Sequence, residues 1–208
     1  MTDDLSHQHP GINLTHARPE DGRHAEVTVF GFWTFLMSDA ILFALLFATY
    51  ATMVNRTAGG PTGAELFDVA NAFIETMVLL ASSFTFGMGA VALKEGRVGA
   101  VRLWLAVTLL LGLGFITLEL REFFGFIGQG ATAQTSGFLS SFYLLLSMHG
   151  LHVLIGCLWI AVMLIQVSVY GLNRRVRSRV LRLGLFWHFL DLVWIVIFTV
   201  VYLPAVAS

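Results

Sequence analysis

The chain has 208 residues, of which 57% are hydrophobic and only 12% charged, with a net charge of −1. A soluble domain carries roughly 25% charged residues to solvate its surface, so this composition, with a mean hydropathy of +0.79, excludes an ordinary soluble globule and implies a surface that faces lipid. Near-neutral charge excludes the clustered basic field that nucleic-acid binding needs, and a lone cysteine, Cys157, excludes a disulfide framework, a CxxC redox pair and covalent haem attachment.

Residues 1–26 carry Asp3, Asp4, Pro10, Pro19, Glu20, Asp21 and four histidines without an apolar period, which predicts a disordered tail. No cationic start precedes a short apolar core, so the tail is expected to stay in the mature chain. His7, His9 and His16 sit on no fixed scaffold and are read as solvated.

Residues 27–208 form the second region, which holds five apolar stretches at 29–54, 67–93, 98–124, 138–170 and 183–205. Each exceeds the roughly 20 residues that span a bilayer as a helix, and the fourth is long enough to tilt or project beyond the lipid. Polar connectors with Gly59, Gly60 and Pro61, then 94–97, 125–136 and 173–179, are expected turns. Backbone groups in hydrocarbon must be satisfied within the segment, and runs of this length suit helices rather than the short alternating strands of a barrel. The fold class is therefore all-α, an integral membrane bundle of five transmembrane helices.

Basic residues set the orientation. Arg18, Arg23, Lys94, Arg97, Arg102, Arg174, Arg175, Arg177, Arg179 and Arg182 fall on one side, leaving Arg56 and Arg121 on the other. The N-terminus is expected in the cytoplasm and the C-terminus outside. Trp33, Tyr50, Trp104, Tyr170 and Tyr202 lie near predicted helix ends, as an interfacial aromatic belt requires. No inverted repeat is visible, and an odd helix count precludes two equal halves, which argues against a secondary transporter.

Ionisable side chains within membrane spans are costly enough to be functional candidates. They are Asp39, Glu75, Glu119, His149, His152, His188 and Asp191. Asn71, Glu75, Ser82 and Gly89 recur at helical spacing, so this stripe should face protein or a polar ligand. His149, His152 and Gly156 share one face, as do Gly184, His188 and Asp191, and the two faces can meet. Three readings stand for this set: a polar seam that fixes helix register and lines a lipid crevice, a proton relay through Glu75, and an intrinsic haem or copper site. Cys157, within an apolar run, reads as packing.

At these residues the chain resembles a known family. The segments FGFWTFLMSDAILFALLFATYATMVNRTAGGPTG from Phe30, SGFLSSFYLLLSMHGLHVLIGCLW from Ser136 and LFWHFLDLVWIVIFTVVYL from Leu185 resemble subunit III of haem–copper terminal oxidases, closest to the bacterial cytochrome o ubiquinol oxidase branch. The likeness covers about residues 27–205, and the HGLHV and WHFLDLVW motifs place His149, His152, His188 and Asp191 within it. The resemblance implies a subunit without its own redox centre, docked to a subunit I that carries the haems and copper, with phospholipid bound in a cleft. The complex would oxidise ubiquinol, reduce dioxygen to water and pump protons across the bacterial inner membrane. Subunit III of a cytochrome c oxidase is the alternative, followed by an independent haem-binding or proton-conducting protein.

Overall fold

The computed structural model describes residues 19–204 and contains helices throughout. They are α1 (Pro19–Met53), a short α2 (Gly63–Leu66), α3 (Val69–Lys94), α4 (Val98–Gly128), α5 (Gly137–Tyr170) and α6 (Arg174–Ile197), which runs on as a π-helical turn, Phe198–Tyr202. No strand occurs among the described residues. Five segments are long and apolar enough to cross a membrane: Phe30–Met53, Val69–Lys94, Val98–Gly128, Gly137–Tyr170 and Arg174–Tyr202. The five-span, all-helical expectation holds.

The helix ends follow from their residues. Side-chain oxygens of Asp68, Ser136 and Asn173 accept from the backbone N–H groups of Ala70, Leu139 and Val176, satisfying donors that a helix N-terminus leaves orphaned. Gly96 ends α3 at φ +73°, a conformation that favours glycine. Residues 19–26, read from sequence as tail, form the first turns of α1, while the expected tail 1–18 and its histidines 7, 9 and 16 lie outside the described residues. The last span also starts earlier than hydropathy implies, at Arg174 instead of residue 183. Arginine is a good helix former, and hydropathy reports burial in lipid rather than helicity.

Two units part within α1, at Ala40. In the first, Phe30, Trp33 and Met37 are exposed. In the second, α3 packs on α4 and α6, and α5 packs on the same two helices, closing a ring of four. Its interior is organised around aromatic side chains of α6. Trp187 fills a slot between α4 and α5, where a Cβ on Gly112 would lie 2.8 Å from its ring and one on Gly156 2.9 Å. Its Nε1 donates to Ser82 Oγ of α3 at 3.1 Å. One helical repeat further, Trp194 Nε1 donates to Thr76 Oγ1 at 3.0 Å, and its ring meets Phe115 edge-on at 4.7 Å. Gly184 admits Phe86 in the same way, with 2.8 Å to a built Cβ. Outside the ring, Leu103, Leu110, Leu158, Ile165, Val169 and Leu192 are exposed and make the exterior apolar.

Tyr50 and Tyr202 do not join an interfacial belt: both are buried, whereas Trp33 and Tyr170 are exposed. Proximity to a helix end does not decide which way a ring points. Tyr202 turns inward because its hydroxyl finds Glu122 Oε2 at 3.1 Å, and Tyr50 packs on Phe138, with ring centroids 6.1 Å apart.

Gly156→Val places two methyl groups inside the Trp187 slot. Overpacking of this kind costs about 1–3 kcal/mol, so the variant should show a lower thermal midpoint in detergent, followed by tryptophan fluorescence. Ile195→Val, on the exposed side of α6, should change stability by no more than about 0.5 kcal/mol.

Candidate functional site

The polar side chains marked by sequence fall into separate groups, each set by helical spacing. On α3, Glu75, Ser82 and Gly89 are buried along one stripe, while Asn71 sits at its exposed end and donates to Asp68 Oδ2 at 2.9 Å. Asp39 belongs to the first unit, and the groups below are built in the second.

His149 is completely buried. Phe43, Phe115 and Trp194 surround its ring, with centroids at 6.4, 5.9 and 5.3 Å, and neither ring nitrogen has a hydrogen-bond partner among the described residues. His152, three residues on, lies beside Phe43 and Phe186. Its Nδ1 is 2.7 Å from the Met148 carbonyl oxygen, a contact that carries the ring proton on Nδ1 because the carbonyl can only accept. These aromatic rings occupy the space beside both imidazoles.

His188 points elsewhere. Its Nδ1 lies 2.8 Å from Ser83 Oγ on α3 and 3.5 Å from Asp191 Oδ2. An imidazole–carboxylate contact is thus formed within α6, at the i,i+3 spacing of the WHFLD segment, and reaches α3 through a hydroxyl. Cys157 is buried beside Gly112, where a Cβ would approach its Sγ to 2.8 Å. Among the described residues, no group of three His, Cys, Asp or Glu side chains is arranged to hold a metal ion.

A further group gathers carboxyls from α3 and α4. Glu75 and Glu119 are both buried, and Glu122, one turn beyond Glu119, completes the cluster; the three interact electrostatically. Glu119 lies against the α5 backbone, where a Cβ on Gly150 would come within 2.6 Å of its Oε2. The glycine inside HGLHV therefore makes room for a carboxyl from the neighbouring helix. Sequence reading missed Glu122, because next to Arg121 it looks like an ordinary helix-end charge. The i,i+3 spacing from Glu119 was the available signal. Ser83 carried no signal, since one hydroxyl among several on α3 is unremarkable.

Comparisons with known proteins agree with this architecture. The family described as cytochrome c oxidase subunit III matches residues 21–206. The chain is 47% identical over 193 residues to cytochrome bo(3) ubiquinol oxidase subunit 3 of Pseudomonas aeruginosa, covering 93% of this chain and 90% of that protein. It is 46% identical to quinol oxidase subunit 3 of Bacillus subtilis, covering 88% and 89%. Cytochrome c oxidase subunit 3 of the same organism is 44% identical, covering 83% and 84%.

Gly150→Ala should force the Glu119 carboxyl off the α5 backbone, at a cost of about 1–3 kcal/mol. In a Glu119→Ala background the same change should cost less, with a coupling of about 0.5 kcal/mol or more. Thermal midpoints of the four proteins in detergent read this out, and strictly additive costs would show that the two residues are not in contact.

Proposed function

The chain belongs to the cytochrome c oxidase subunit III family, and from that membership we propose that it is the subunit III of a proton-pumping ubiquinol oxidase in the bacterial inner membrane. The complex passes electrons from ubiquinol to dioxygen, forming water, through haems and copper held by subunit I. The observation that carries this reading is the 47% identity to a ubiquinol oxidase subunit 3 over nearly the whole of both chains. A cytochrome c oxidase subunit III is the second reading, favoured by the 44% identity to such a protein.

Within the complex this chain works by packing, lipid retention and docking to subunit I. Two features support that role. Aromatic rings fill the space beside His149 and His152, so these imidazoles act as packing groups, His149 in the core and half-buried His152 at its edge. The exposed apolar faces of α4 and α5 offer surface to a neighbouring bundle or to phospholipid. Asp39, Glu75, Glu119, His149, His152, His188 and Asp191 are assigned no catalytic step of their own in this reading.

The N-terminus is cytoplasmic and the C-terminus periplasmic. Ten of the twelve basic residues support this assignment. The fold supports it too: a Cβ on Gly96, in the α3–α4 connector, would lie 3.4 Å from Arg177 Nη2 at the start of α6. The two most basic connectors therefore meet at one end of the bundle.

The test is to purify the oxidase through a tag on this chain, and in parallel to isolate it through subunit I from a strain lacking the chain. The tagged complex should oxidise ubiquinol. The complex without the chain should keep its reduced-minus-oxidised haem spectrum and its initial oxygen uptake per haem, then inactivate faster during turnover. Oxidation of cytochrome c with a dinuclear copper centre would move the chain to the other branch. Zero initial uptake with haem intact would show that it takes part in catalysis.

A further inference from the structure

At the end of the bundle where α3 begins and α4 finishes, two buried carboxyl groups and one half-buried one gather. Glu75 comes from α3 and is 2% exposed, while Glu119 and Glu122 come from α4, with Glu119 3% exposed. Each retains an oxygen without a hydrogen-bond partner: Glu75 Oε2, Glu119 Oε1 and Glu122 Oε1. Four other titratable or charged groups face the cluster. Asp68 caps α3, Arg121 lines the cavity beside Glu122, Tyr143 stands on α5, and Tyr202 donates to Glu122 Oε2. Arg121 is exposed, and among the described residues it makes no ion pair with any of the three.

Carboxylates at buried positions without a paired cation carry a desolvation penalty of several kcal/mol each. Holding a proton removes that penalty and gives a carboxyl a donor of its own. The surroundings give those protons a route. A cavity of about 520 Å³ opens beside the cluster, lined by Asp68, Asn71, Glu75, Arg121, Glu122 and Gln129 among others. That is room for several waters with polar partners. Glu75 is decisive, because its side chain is buried, has an unpartnered oxygen and forms part of the cavity wall.

We propose that Glu75, Glu119 and Glu122 form a proton-holding site, which exchanges protons through cavity water with the aqueous phase on the side of the membrane that carries α2. A proton delivered by a water-borne acid converts one carboxylate to the carboxylic acid, leaves the conjugate base in the water, and passes between Glu75 and Glu122 through water in the cavity that both line. Release is the reverse, and no electron moves. Gly150 is part of the device, since its missing side chain lets the Glu119 carboxyl sit against α5. The site lies on the membrane side opposite the basic connectors, as expected of a place that holds protons rather than repelling them.

Infrared difference spectroscopy on the assembled membrane complex tests this. Wild type minus Glu75→Gln, and wild type minus Glu119→Gln, should each reveal a carboxylic-acid C=O band, and in D2O that band should shift down as the proton is replaced. Glu75→Asp keeps a carboxylic acid, so it should move the band rather than abolish it, which separates loss of the site from loss of the fold. Glu122→Gln should alter the same band through its neighbours. If none of these substitutions changes a carboxylic-acid band, the three groups are ionised and the proposal fails. A band that does not shift after prolonged incubation in D2O would show a site sealed from water, which also overturns it.

Discussion

The bundle depends on the seating of Trp187. Lipid tails are as apolar as leucine, so helices in a membrane gain little from burying apolar surface against each other and rely on close approach and hydrogen bonds. Trp187 supplies both at one point. Gly112 and Gly156 allow α4 and α5 to close on its ring, and Ser82 accepts its indole N–H from the third side. A single side chain of α6 thus ties three other helices together. Trp194 repeats the arrangement with Thr76 and Phe115, which fixes the rotation of α6 as well as its position.

The remaining polar groups follow from that rotation. With both tryptophans directed inward, His188 is left at the edge of α6, where it reaches Ser83 and Asp191. Trp194 closes one side of the aromatic enclosure around His149, and the π turn after Ile197 brings Tyr202 to Glu122. The carboxyl cluster is then confined between α3 and α4, with Glu119 against Gly150 of α5. A chain packed this way fills its interior with its own side chains and leaves an apolar exterior. That is the character of a supporting subunit in a larger oxidase.

How far the sequence revealed this depends on which signal each feature leaves. Five spans are legible because lipid demands long uninterrupted apolar runs, and the family is legible because HGLHV and WHFLDLVW carry dense, unusual chemistry. The start of α6 is not, since the run from Arg174 is helical but polar, and only Asn173 with its cap marks the boundary. Tyr50 and Tyr202 look like interfacial aromatics, yet their direction is set by Phe138 and Glu122, partners far away in sequence. Glu122 is hidden by its neighbour Arg121. The tryptophan donors are invisible for a similar reason: Ser82 and Thr76 become acceptors only once α3 and α6 have met, more than a hundred residues apart along the chain.

The seating of Trp187 is tested most directly by a double-mutant cycle between Trp187→Phe and Ser82→Ala in the purified, assembled complex. Retention of this chain against heating in detergent serves as the measure. Each single change removes the same hydrogen bond, so the account predicts that the double variant costs less than the two costs added, with a coupling of about 0.5–1.5 kcal/mol. Costs that simply add would mean that the indole and the hydroxyl do not meet, and that something other than this contact holds α6 against α3.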